Sequence, residues 1–168
     1  MDIRLAGTVN DSIVDGPGLR FTIFTQGCPH HCVGCHNPNT HPVDGGEVKD
    51  TDEIIKTFSK NPLLSGITLS GGEPFVQAEA CLKLAKAAHE MHMNVWAYTG
   101  FLYDHLMSSQ LPYAKELVQE IDVLVDGPFI LSEKSLGLSY CGSRNQRLID
   151  VQKTIKANQI VLWEKEKW

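Results

Sequence analysis

No apolar run in this 168-residue chain approaches the roughly 20 residues that a membrane-spanning helix needs, because Gly and Pro interrupt every such stretch. No membrane partner is therefore expected. The opening Met1-Asp2-Ile3-Arg4-Leu5 lacks the basic stretch, long apolar segment and small-residue cleavage site of a secretory signal, so a cytoplasmic location is expected. Positive charge is also scarce, with 15 Lys and Arg against 20 Asp and Glu, a formal charge of −5 and a pI near 5.8. Such a chain has no general basic field for phosphate contacts, and nucleic acid is not an expected partner. The five cysteines do not suit a disulfide framework: their number is odd, and three fall between Cys28 and Cys35. They suit metal or redox chemistry in a reducing compartment.

What is present reads as a single domain spanning 1–168, long enough to bury a core without cross-links. Leu19 to Thr25 is rich in β-branched and aromatic residues and stops at Gly27, which predicts a strand running into the cysteine loop. Thr51 is placed to cap a helix through about Lys60, before Pro62 and Gly66. Ile67 to Ser70 predicts a second strand ending in Gly71-Gly72-Glu73-Pro74. Cys81, Leu84, Ala85 and Ala88 follow at helical spacing. The rhythm recurs with a strand at Asn94–Tyr98, a helix near Tyr113 to Glu120, and the apolar run Ile121 to Val125 before Asp126-Gly127-Pro128.

Strands alternating with helices predict an α/β fold with a mostly parallel sheet, whose ligands bind at the carboxyl ends of the strands. Only five or six strands fit, too few for an eightfold barrel, so an open partial (β/α)6-type barrel is expected, its open side able to admit a large substrate. Asp44-Gly45-Gly46 reads as a turn. Trp96 and Trp163 fall on predicted strands as packing residues, and Cys81 on an apolar helix stripe as a small core residue.

Cys28-Pro29-His30-His31-Cys32-Val33-Gly34-Cys35 places three thiols on one short loop, with three and then two intervening residues. Thiolates are soft ligands for zinc or for iron-sulfur clusters. Spacing alone admits both. A structural zinc module would take a histidine as fourth ligand, from His36 or His41. An iron-sulfur cluster would be left with one iron lacking a protein ligand.

The order Cys-x3-Cys-x2-Cys after one strand and Gly71-Gly72-Glu73 after the next resembles the radical S-adenosylmethionine superfamily. The resemblance implies that superfamily's fold, with Cys28, Cys32 and Cys35 holding one 4Fe-4S cluster whose open iron binds the amino and carboxylate groups of S-adenosyl-L-methionine. It further implies that Gly71, Gly72 and Glu73 serve the methionine end, Glu73 meeting the amino group, and that the backbone of Gly34, Cys35 and His36 passes near the adenine. Physical chemistry agrees, since glycines let the backbone approach a ligand and a carboxylate accepts from an ammonium. In isolation, Gly-Gly-Glu-Pro is equally an ordinary turn.

Ser12 to Arg20 and Cys35-His36-Asn37-Pro38 resemble the activating enzymes of glycyl-radical enzymes. Val125 to Phe129, Gly142 to Arg147 and Ile149 to Val151 narrow the resemblance to the family that activates anaerobic ribonucleoside-triphosphate reductases, over about Ser12 to Val151. This implies reductive cleavage of S-adenosylmethionine and abstraction of a hydrogen atom from a glycine of the reductase large subunit, with a flavodoxin-like electron donor. Beyond the cluster and S-adenosylmethionine, no catalytic acid or base is expected. Asn39 to Asp50 is short and cysteine-free, so no second cluster is expected.

Two competing enzyme readings are an activase of another glycyl-radical enzyme and a small-molecule radical enzyme such as a 7-carboxy-7-deazaguanine synthase. Asp126 reads either as an S-adenosylmethionine contact at a strand end or as a turn residue. Asn145, Gln146 and Arg147 either line the opening or satisfy backbone groups at a strand start. Asp15 and Arg20 either position a loop beside the cysteines or pair as ions. Cys141 stands where relatives carry a basic residue, which removes any charge contact there.

Overall fold

Along β2 (Arg20–Thr25) successive side chains go to opposite faces of the strand, and both faces are covered. Phe21 and Ile23 join the larger hydrophobic cluster beneath the helices. Arg20 and Thr22 point to the other face, where a smaller cluster around Trp96, Val123, Val125 and Trp163 begins. The computed structural model describes residues 1–35 and 37–164. Its elements in chain order are β1 (Asp2–Ser12), β2, β3 (Glu47–Asp50), α1 (Thr51–Ser59), β4 (Gly66–Gly71), α2 (Ala78–Glu90), β5 (Asn94–Tyr98), α3 (Tyr103–Ser108), α4 (Ala114–Gln119), β6 (Val123–Asp126), β7 (Arg147–Asp150) and α5 (Val151–Ala157).

The strands form one mixed sheet in the order β3-β1-β2-β4-β5-β6-β7. β2, β4, β5 and β6 are parallel to one another, joined by crossovers that place α1, α2 and α4 on one face. The pairings of β1 with β2, β1 with β3 and β6 with β7 are antiparallel. The parallel core agrees with the sequence reading, but the sheet has seven strands rather than five or six, with antiparallel flanks. β1 was not legible because only Ile3, Leu5 and Ser12 are buried along it, so its apolar alternation stops after two positions.

Three local expectations need correction or extension. Thr51 is the first residue of α1 rather than its cap, and its hydroxyl is buried without a hydrogen-bond partner among the described residues. Asp50 occupies the cap position, with extended backbone angles. Trp163 packs as expected, edge-on to Trp96 with centroids 4.8 Å apart, but lies beyond the named strands, beside an isolated bridge between Ile149 and Leu162. The helices α3 and α5 have six and seven residues, too short for a periodic signal. Cys81 is fully buried in the core, and burial pushes its thiol far above the ordinary range.

Candidate functional site

The chain leaves the carboxyl end of β2 through Gly27, whose φ of +102° is a conformation that favours glycine. The Gly27 N–H donates to the Thr40 carbonyl at 2.6 Å and the Cys28 N–H to the His41 carbonyl at 3.1 Å, so the segment closing the cysteine loop lies against its start. Cys28 is buried, while Cys32 and Cys35 are half-buried, and all three line one open cavity of about 390 Å³. Burial pushes the Cys28 thiol up, while backbone N–H groups of His30 and His31 pull it the other way. Asn37 donates its N–H to Cys35 Sγ at 3.4 Å.

Three soft donors, with backbone N–H groups directed at two of the sulfurs, form a set that fits iron-sulfur ligation. Among the described residues no three His, Cys, Asp or Glu side chains are gathered closely enough to hold a single ion. His41 lines the cavity and meets the His31 ring edge-on, with centroids 5.4 Å apart. Its Nε2 has no hydrogen-bond partner among the described residues. His36 lies outside the described residues.

The Gly-Gly-Glu loop leaves β4 directly beside this turn. Gly71 has a φ of +92°, and a Cβ there would stand 2.5 Å from the Thr25 nitrogen; one on Gly72 would stand 2.4 Å from the Gly27 carbonyl oxygen. Any side chain at these positions would force the two loops apart. Without one, the Gly72 N–H donates to the Thr25 carbonyl and the Glu73 N–H to the Gly27 carbonyl, each at 2.8 Å.

Glu73 is fully buried, and protein donors occupy its carboxylate. Oε1 accepts from His30 Nε2 at 2.7 Å, the Thr99 hydroxyl at 2.7 Å and the Gly100 N–H at 2.9 Å. Oε2 accepts from the Phe75 N–H at 3.0 Å. The loops following β2, β4 and β5 therefore converge on one carboxylate. His30, Gly71, Gly72, Thr99 and Gly100 line the cavity, whereas Glu73 stands directly behind them. The sequence reading did not single out His30, Thr99 or Gly100. The available signal was their position, immediately after predicted strands or between the cysteines.

The far wall uses its polar residues internally. Asp126 is buried behind the lining, receiving Arg147 Nε at 3.0 Å, an Arg147 terminal nitrogen at 2.6 Å and the Tyr103 N–H at 2.9 Å. Its neighbour Gly127 lines the cavity. Gln146 also lines it, accepting from the Gly142 N–H and donating to the Gly127 carbonyl. Asn145 donates to the Pro128 carbonyl. Asn145 and Gln146 satisfy backbone groups, one of the two alternatives of the sequence reading, and Gln146 faces the opening as well, whereas Arg147 pairs with the Asp126 carboxylate. Gly34 has a φ of +76°, and a Cβ there would stand 2.9 Å from Leu131, so it marks close packing of the cysteine loop under the segment after β6.

Asp15 and Arg20 do not pair with each other. The Asp15 carboxylate accepts from Ser12 and Thr22, and its carbonyl from Thr68. Arg20 donates to Thr68 and to the carbonyls of Pro17 and Ile67, with its guanidinium 5.7 Å from the Trp96 ring centre. Burial lowers Arg20 to about 10. The pair thus holds the segment between β1 and β2 inside the sheet, with Val14 and Asp15 on the cavity wall. Tyr98, Tyr140 and Cys141 complete that side, and burial pushes Tyr98 and Cys141 up.

Residues 14–149 match the family described as a 4Fe-4S single cluster domain. The chain is 37% identical over 142 residues to the anaerobic ribonucleoside-triphosphate reductase-activating protein of Escherichia coli (strain K12), covering 80% of this chain and 90% of that protein. It is 36% identical to the protein of the same description from Vibrio cholerae (80% and 89% covered) and 32% identical to that from Enterobacteria phage T4 (80% and 86%). Among solved structures, QueE from Escherichia coli aligns with a TM-score of 0.52 over 75% of this chain and 70% of that one. At 12% identity, this is a likeness of fold.

Proposed function

Since the chain belongs to the family of anaerobic ribonucleoside-triphosphate reductase-activating proteins and to that of 4Fe-4S single cluster domains, we propose that it activates such a reductase by generating a glycyl radical on the large subunit. Cys28, Cys32 and Cys35 would hold one 4Fe-4S cluster. When bound, the cluster supplies the electron that cleaves S-adenosyl-L-methionine to methionine and a 5′-deoxyadenosyl radical, the species that takes a hydrogen atom from a glycine Cα.

The chain's own residues bind and orient. Gly71 and Gly72 allow close approach at the methionine end, and Glu73 provides the negative charge towards which the amino group is drawn. Gly34 and Cys35 present backbone to the adenine. Asp126 acts on this ligand through Gly127, by fixing the end of β6 against Arg147. The four parallel strands and their crossover helices are read as the core of an open partial barrel of the radical S-adenosylmethionine fold, whose open side admits a polypeptide. A flavodoxin-like donor reduces the cluster, and the reaction runs in the cytoplasm.

One observation carries this reading: three thiols and a Gly-Gly-Glu loop meet at a single cavity, tied together by the His30–Glu73 hydrogen bond. Anaerobically prepared protein is expected to be brown, with about four iron and four sulfide per chain. After reduction and incubation with S-adenosylmethionine and the anaerobic reductase, electron paramagnetic resonance should show a glycyl-radical doublet. Efficient S-adenosylmethionine cleavage without a doublet would reject this partner.

A further inference from the structure

The two segments that frame the cysteine loop are charged unlike the rest of the chain. Residues 16–43 and 127–149 together hold four Lys and Arg against a single carboxylate, Glu133, whereas the whole chain has 15 against 20. Of the four cations, Arg20 is buried and Arg147 is held by Asp126. Lys134 and Arg144 remain, both exposed and without an ion-pair partner among the described residues. Lys134 bridges to Ser143, and the Arg144 N–H donates to the Glu133 carbonyl at 3.0 Å, so the two cations stand on adjacent rungs of one hairpin.

That hairpin packs on the cysteine loop through Leu131 and Gly34, and the contact has an inner and an outer side. Cys32, Cys35, Phe129 and Leu138 line the cavity. Val33, Leu131 and Leu136 do not, and are 76%, 49% and 92% exposed. Apolar side chains therefore stand on the outer surface of the loop that carries the thiols, beside two unpaired cations. Such a surface is the complement of an anionic partner, and complementarity of this kind speeds association more than it tightens binding. Small, transient interfaces are the kind that electron-transfer proteins use.

We propose that this outer face, where the hairpin meets the cysteine loop, is the docking surface for the electron donor, a small carrier protein with an acidic surface. This rests on the function proposed above and gives its donor a place and a charge. One electron passes from the reduced carrier to the cluster, with no bond formed or broken. The cavity on the inner side stays free for S-adenosylmethionine and the polypeptide, so the donor and the reductase do not compete.

The test is the rate at which cluster-loaded protein is reduced, followed by bleaching of the cluster absorbance, with iron content and circular dichroism recorded alongside. Reduced flavodoxin serves as the acidic carrier. Photoreduced 5-deazariboflavin, small and uncharged, reaches the cluster without docking. Lys134→Glu/Arg144→Glu should slow reduction by flavodoxin about tenfold at low ionic strength, and the difference should shrink as salt screens the surface. Lys56→Glu/Lys60→Glu makes the same change of charge on the helical side of the sheet and should stay within about twofold of wild type. Leu136→Ser, at a side chain too exposed to support the core, should slow flavodoxin about threefold at every ionic strength. Reduction by 5-deazariboflavin should be unchanged in all three.

An unchanged flavodoxin rate in both hairpin variants would overturn the proposal. Equal slowing with both reductants would overturn it too, by showing that the hairpin acts on the cluster itself. So would equal slowing in Lys56→Glu/Lys60→Glu, which would assign the effect to the charge of the whole molecule. A lower glycyl-radical yield in Lys134→Glu/Arg144→Glu with 5-deazariboflavin as reductant would give this surface to the reductase instead. Wild-type protein that holds no cluster, or does not cleave S-adenosylmethionine once reduced, would bring down the underlying function rather than the docking surface.

Discussion

The site depends on single atoms that three of its residues do not have. Gly71, Gly72 and Gly100 lie where a Cβ would come within 2.6 Å of neighbouring atoms; the contacts of Gly72 and Gly100 join one loop to another, and that of Gly71 joins the end of β4 to the end of β2. Gly100→Ala should drive the His30 ring off the Glu73 carboxylate, lowering stability by roughly 1–3 kcal/mol. Chemical denaturation would read this as a lower midpoint, and an unchanged midpoint would show that the ring is not confined as described. At this scale the sequence was legible where chemistry is local: three cysteines within one loop announce themselves by spacing. The partners of Glu73 come from positions 30, 75, 99 and 100, and no spacing rule connects them. Only the parallel register of β2, β4 and β5 brings those loops together.

Among the elements, periodicity found those buried on a regular stripe, such as α2 and the four parallel strands. It missed β1, whose outer half is solvent-facing, and the short helices α3 and α5. α2 ends in a further polar device on the helical side of the sheet. His89, in its last turn, contacts Glu120 through Nδ1 at 2.9 Å and Asp122 through Nε2 at 2.8 Å, while Asp122 also accepts the Val95 N–H. Hydrogen bonding to Asp122, then to Glu120, outweighs burial and raises His89 to about 9 from an ordinary 6.5. A raised folded-state value stabilises the charged form. The contribution is therefore complete below about pH 6.5 and disappears as pH rises through about 9. His89→Gln should cost on the order of 1 kcal/mol near pH 6 after solvent screening, with the difference from wild type shrinking towards pH 10. Thermal melts of both proteins across that range would check the sign, and a constant difference would contradict it.

Over the whole molecule, the two faces of the sheet carry different burdens. One face holds the main apolar core against α1, α2 and α4; the other is lined by polar and aromatic residues around the cavity. The central strands are covered on both sides, so amide hydrogen exchange should be slowest around Ile23, Leu69, Val95 and Leu124. It should be fastest in the segments 29–35 and 131–145. Comparable protection in those segments and the strands would contradict this division. The α/β alternation revealed the helical face from sequence. The antiparallel flanks escaped because β3 and β7 have only four residues each and bury few of them.

The two ends of the sheet, β3 and β7, do not pair with one another. A closed ring could take in a polypeptide only by threading a free end. An open sheet can instead receive a bend in a chain whose two ends stay anchored elsewhere, laid in from the flank and lifted out again unbroken.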